Sequence, residues 1–130
     1  MEKSFIPVVK KEELNLDNTT EITNGTIESA DISIAGHFGN IVCLSLQISS
    51  EGGCGGCFLP MRAYTKHIGY VVKAVFETIC ESTDDIVPFS SLIGKPIRVI
   101  SKGSSYVGIG HFMKDRWLTE ENVTKWIEEN

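Results

Sequence analysis

Three observations predict an α+β fold, a mainly antiparallel β-sheet with one amphipathic helix across a face and a short C-terminal helix. Residues 41–48 alternate, with Val42, Leu44, Leu46 and Ile48 on one side and Cys43, Ser45 and Gln47 on the other, which is the period of a half-buried strand. From Thr65 to Glu81 the apolar residues Ile68, Val71, Val72, Val75, Phe76 and Ile79 recur at i, i+3, i+4, i+7, the stripe of a helix packed on one side. Two apolar runs, Pro96 to Ile100 and Tyr106 to Met113, flank Lys102-Gly103-Ser104-Ser105 as in a hairpin.

The 130 residues suffice for one domain with its own core. The organisation expected is an N-terminal arm over 1–20, a single α+β domain over 21–118 and a short helix over 119–130. In the arm Phe5, Ile6, Val8 and Val9 mix with Lys10-Lys11-Glu12-Glu13, and only an edge strand at Ile6 to Val9 is foreseen. Thr23-Asn24-Gly25 reads as a turn before a strand from Thr26 to Ala35. Ile27 and Ile32 there have opposite parity, so a bulge near Ser29 to Asp31 is needed to bring them to one face. Gly36-His37-Phe38-Gly39-Asn40 forms the loop to the strand at 41–48, and the two strands are expected at the sheet's centre.

After a glycine-rich loop, Cys57-Phe58-Leu59 offers a short strand that Pro60 stops. Gly69 inside the helix implies close contact with the sheet. Pro88 to Gly94 reads as one turn closed by glycine. Gly108 and Gly110 share a face of the last long strand, where a bulky group, an aromatic ring or the helix, needs room. Thr119 is the expected N-cap of the last helix, with Glu120 and Glu121 in its first turn and Val123, Trp126 and Ile127 on its apolar side.

A net charge of −5 and scattered basic residues argue against extended nucleic acid as a partner, and the acids are too dispersed for a mimic of it. The composition offers no apolar run of bilayer length, no membrane partner is expected, and the N-terminus lacks the apolar core of a secretory signal. A reducing cytoplasm, with Cys43, Cys54, Cys57 and Cys80 as thiols, is the expected setting.

Chemistry is most readable around Gly52-Gly53-Cys54-Gly55-Gly56. Glycine freedom there lets successive backbone N–H groups form an anion nest, and Arg62, Lys66 and His67 follow within ten residues. The ligand-binding set expected from this is Gly53, Gly55, Gly56, Arg62, Tyr64, Lys66 and His67. A ligand-free bulge loop is the plainer account of the same glycines. The G-x-G-x-x-G and Walker A patterns both fail, the first at Phe58 and the second because Gly94-Lys95 leads into Pro96. Cys54 and Cys57 have the C-x-x-C spacing for zinc, with Cys43 and Cys80 as conceivable further ligands, although a lone C-x-x-C is a weak signal and small buried thiols in turn and core positions are the plainer account. His111 and Asp115 could serve as acid and base of a small hydrolase of phosphorylated metabolites, but no nucleophile motif accompanies them. No catalytic residue, resident metal or cofactor is assigned.

The segments Gly25-Thr26-Ile27-Glu28-Ser29-Ala30, Gly52-Gly53-Cys54-Gly55-Gly56, Leu92-Ile93-Gly94-Lys95-Pro96-Ile97-Arg98-Val99 and Ile109-Gly110-His111-Phe112-Met113-Lys114-Asp115-Arg116-Trp117-Leu118 resemble a family of small proteins encoded in bacteriophage and prophage genomes. The likeness covers about Gly25 to Leu118. Members carry a longer glycine run with Ser, Gln, Phe and Tyr where this chain has Cys54 and Cys57, so a zinc site would be peculiar to this chain. The resemblance implies a phage accessory protein in the host cytoplasm, with anti-defence as one role. Together with the anion-capable loop it suggests a homo-oligomer that binds a small anionic, nucleotide-like signal or a host protein. A zinc-stabilised interaction domain and the His111–Asp115 hydrolase stand as alternatives.

Overall fold

The computed structural model describes residues 5–34, 39–50, 57–80 and 88–130. Strands β1 (Thr20–Ile34), β2 (Ile41–Ser50), β3 (Cys57–Tyr64), β4 (Pro96–Lys102), β5 (Ser105–His111) and β6 (Trp117–Thr119) form one curled antiparallel sheet in the order β3-β2-β1-β4-β5-β6. Helix α1 (Ile68–Ile79) lies between β3 and β4 in sequence and packs across the sheet, and α2 (Glu120–Glu129) follows β6. The expected α+β class is therefore the observed one. The central pair is β1 with β4; the strand pair expected at the centre, β1 and β2, sits one place off it.

β1 organises the sheet because it pairs twice, with β4 over Thr20 to Thr26 and with β2 over Gly25 to Ile34. A turn at Thr23-Asn24-Gly25 is thus corrected to continuous strand. Gly25 stands where the strand changes partner, and a Cβ there would meet the Ser49 carbonyl oxygen and Val99 Cγ2, each at 2.9 Å. Only glycine lets the two hairpins crowd one strand so closely. The register slips between Ile27 and Ser29, just before the expected bulge, and the slip sets Ile27 opposite Ile48 and Ile32 opposite Leu44 on one face.

The curl brings β3 against β5. β1 to β5, with a helix between β3 and β4, thereby follow the Greek-key plan of an OB barrel, to which β6 and α2 are additions. Its core joins Ile27, Leu44, Leu46, Ile48, Leu59 and Met61 from one side of the sheet to Val71, Val75 and Ile79 from α1 and Val123 and Trp126 from α2. Burial of this stripe, not intrinsic propensity, holds the β-branched helix. Gly69 is a correction, since nothing lies within 4 Å of where its Cβ would be and the residue is exposed.

The arm is not an edge strand. Among the described residues it pairs with the sheet at one bridge, Val9 to Trp117, buries Ile6 in the main core, and then forms a single 3-10 turn at Lys11–Glu13. Val9, Ile100 and Trp117 make a second small core on the outer face of β4 to β6. Thr119 caps α2 as expected, its hydroxyl accepting the Asn122 N–H at 3.1 Å.

Candidate functional site

β3 is an edge strand in the hydrogen-bonded order, so Pro60, which has no N–H to give, can stand inside it, paired with Ser45. The strand therefore runs through Pro60 to Tyr64 instead of ending at Leu59. That extension splits its residues cleanly between faces. Leu59, Met61 and Ala63 enter the core, while Phe58, Pro60, Arg62 and Tyr64 stand on the outer face. Phe58 is 55% and Tyr64 47% exposed, so each presents a ring face to solvent.

The register builds rows behind these side chains. Phe58 lies opposite Gln47 and beyond it Ser29; Pro60 opposite Ser45 and Asp31; Arg62 opposite Cys43 and Ser33; Tyr64 opposite Ile41. The Ser29 hydroxyl donates to Gln47 Oε1 at 3.1 Å, and Cys43 Sγ lies 3.4 Å from Ser45 Oγ. The outcome is a polar floor flanked by two rings, with one guanidinium between them on the strand.

Lys66 is exposed in the 3-10 turn Thr65–His67 that follows β3. That turn is fastened to the base of the β1–β2 connection, the Thr65 N–H donating to the Asn40 carbonyl at 2.9 Å and its hydroxyl to the Gly39 carbonyl at 3.1 Å. His67 faces inward instead of toward solvent. Only 1% exposed, it meets the Trp126 ring edge-on at 5.2 Å and the Tyr64 ring at 6.0 Å. Its place is beneath Tyr64, as a support. Of the expected ligand set, Arg62, Tyr64 and Lys66 are brought together at one end of β3, and Gly53, Gly55 and Gly56 lie outside the described residues. Phe58, which shares the face, was not foreseen because Pro60 was read as a stop.

Neither Arg62 nor Lys66 enters an ion pair among the described residues; the pairs present are Lys73 with Glu77 at 2.7 Å and Lys102 with Asp17 at 3.4 Å. Cys54 lies outside the described residues, as does the side chain of Cys57, while Cys43 and Cys80 are buried. Among the described residues no cluster of His, Cys, Asp and Glu has the makings of a metal site.

His111 and Asp115 are built into structure. The His111 Nδ1 accepts the N–H groups of Met113 at 3.0 Å and Lys114 at 2.9 Å, closing the β5–β6 turn. Asp115 Oδ1 accepts the Lys11 N–H and the Trp117 Nε1–H, each at 2.8 Å, and these bonds hold its carboxyl below the usual range. The two side chains are thus turned to separate partners.

A cleft of about 610 Å³ opens on another face, between the arm and α2. Leu14, Ile100 and Val107 line it together with Glu13, Glu120, Glu121 and Glu128, against which stand only Lys102 and Lys125. Those carboxylates oppose an anionic guest, so the β3 face is the better match for one. No family model, curated protein or solved structure matches the chain.

Proposed function

We propose that this is a non-enzymatic binding protein that takes a nucleotide-like anion on the outer face of β3. The observation that carries the reading is the exposure of Tyr64 two residues from Arg62 on the same face, with Lys66 just beyond. Successive same-face residues of a strand stand about 7 Å apart. A base stacked on the Tyr64 ring then places its phosphate within reach of the Arg62 fork, and Lys66 adds a second positive charge. Ser33, Ser45 and Gln47 offer donors and acceptors for the base edge. Oligonucleotide binding by OB barrels through the same strands supports it by analogy of fold alone.

The phage accessory role, anti-defence included, rests on the resemblance of the four sequence segments and belongs to this same proposal. A protein that sequesters a host signal needs a site and no catalytic machinery. Incubation of the purified chain with a host small-molecule extract, followed by native mass spectrometry, tests it. A retained nucleotide-class ligand, lost in Arg62→Ala with folding intact, is the expected result. Failure of every nucleotide class to bind removes it.

A further inference from the structure

Independently of the β3 face, we infer that the cleft of about 610 Å³ between the arm and α2 is a docking groove for a short basic segment of a partner protein, held extended with one aliphatic side chain inside. Three elements line it. The arm contributes Leu14, Asn15 and Leu16, the sheet contributes Ile100 and Val107, and α2 contributes the face that carries Glu121, Lys125 and Glu128. Those last three are spaced i, i+4, i+7, so Glu121 and Glu128 stand on one side of the helix, about 10 Å apart along it. One bond crosses between the walls, Asn15 Nδ2 donating to Glu121 Oε1 at 3.4 Å.

Charge selects the occupant. Glu13, Glu120, Glu121 and Glu128 are exposed, and none of them enters an ion pair among the described residues. Of the two lysines in the cleft, Lys102 is paired at 3.4 Å with Asp17, which is not a lining residue, and this leaves Lys125 against four carboxylates. A guest with two or more positive charges makes up the difference. Charge alone holds such a guest weakly, because exposed ion pairs are screened by water and salt. The apolar lining decides what carries the charge. Leu14 and Val107 are half-buried and Leu16 is 38% exposed, beside the buried Ile100. An aliphatic side chain placed among them leaves water, and burying one leucine is worth more than about tenfold in affinity. A polyamine has no such side chain to offer. The main chain of the arm supports a peptide in a third way. Leu14 has extended dihedrals, φ −85° and ψ 142°, and neither Asn15 nor Leu16 makes a backbone hydrogen bond among the described residues. Their open N–H and C=O groups can pair with an extended chain as a sheet edge does, with Leu14 and Leu16, two residues apart, on the side of its anchor. Three or four residues of extended chain, about 10–13 Å, match the span from Glu121 to Glu128.

Fluorescence anisotropy of the full chain with the labelled, end-capped peptide Lys-Arg-Leu-Lys-Arg tests the inference, with Lys-Arg-Ser-Lys-Arg and Glu-Glu-Leu-Glu-Glu as comparators and spermidine as competitor. The leucine peptide is expected to bind about tenfold more tightly than the serine peptide and to weaken as salt rises, and the acidic peptide is expected not to bind. Leu16→Ser should weaken the leucine peptide about tenfold and leave the serine peptide unchanged. The double change Glu121→Gln with Glu128→Gln should weaken both basic peptides. All three positions are exposed, so thermal melts that match the parent keep the comparison clean. Equal binding of the leucine and serine peptides, or indifference of the leucine peptide to Leu16→Ser, overturns the inference by removing the apolar anchor. Spermidine that displaces the leucine peptide at equal or lower concentration overturns it in favour of a polyamine site. A dimer in sedimentation velocity that Leu16→Ser dissociates also overturns it, since the groove then holds a second copy of the chain. So does failure of the leucine peptide to bind.

Discussion

The indole of Trp117 occupies the space in which a Cβ on Gly110 would stand. The two residues are register partners, and Arg98, the partner of Gly110 on the other side, places its guanidinium 4.3 Å from the centre of the same ring. Arg98 also donates to the carbonyls of His111 at 2.8 Å and Lys114 at 2.7 Å, so one residue clamps both the ring and the β5–β6 turn. Gly110→Ala must push the indole off β5, where close packing leaves no slack, and is expected to cost about 1–3 kcal/mol in urea unfolding. Combined with Trp117→Leu it should cost less than the two single changes added together, because the smaller side chain makes room for the methyl. Strict additivity would show that the glycine is there for another reason.

Asp115 completes that unit from outside. Its carboxylate accepts from the Lys11 N–H and the Trp117 indole, and both bonds favour the charged form, lowering the folded pKa below that of the unfolded chain. A depressed carboxyl contributes stability that is fully present above the unfolded value of about 4 and is lost as pH falls through the folded one. Urea unfolding of Asp115→Asn should therefore lose stability relative to the parent at pH 7, and the gap should narrow as pH falls below about 4. Asp17, lowered by the Thr19 hydroxyl and N–H, keeps its own acid dependence in both proteins, so the difference between them isolates Asp115. A gap that stays constant down to pH 2 would overturn the assignment.

The lesson for reading such a chain lies in which forces act locally. Helix α1, the strands at 41–50 and 96–111, the Thr119 cap and the need for room at Gly108 and Gly110 were legible because a 3.6 or 2.0 period and a cap are written within a few residues. The ring that Gly110 accommodates comes from β6, and its identity was fixed only by register. Pro60 misled because its tolerance depends on β3 being an edge, a property of sheet order that no local window contains. Gly25 misled likewise: Thr23-Asn24-Gly25 has turn composition, yet the glycine answers crowding by Ser49 and Val99, both distant in sequence. Half of the candidate face followed from the basic residues after the glycine loop. The other half, Phe58, depended on the strand continuing past Pro60.

Gly69 offers the converse case, a glycine with no steric reason to be one. It lies in the first turn of α1, exposed, with open space where a Cβ would project. Replacing it by alanine removes backbone freedom from the unfolded chain and adds no clash, so Gly69→Ala should stabilise the protein by about 0.5–1 kcal/mol. Thermal and urea melts would register the gain as a higher midpoint. A loss would overturn the reading of Gly69 as a position with open space for a methyl group.

Support for the proposed binding face and the face itself should separate on mutation. Trp126, 5% exposed, carries the His67 ring at 5.2 Å and the Tyr70 ring at 5.0 Å, and through His67 it sits beneath Tyr64. Removing so large a buried side chain leaves a cavity under that stack, and Trp126→Ala is expected to cost about 3–5 kcal/mol. Arg62→Ala touches only an exposed group with no ion-pair partner among the described residues and should stay within about 0.5 kcal/mol of the parent. Paired urea titrations measure both. If Arg62→Ala were as damaging as Trp126→Ala, the guanidinium would be holding the barrel together instead of waiting for a phosphate, and the face would have to be read as structure.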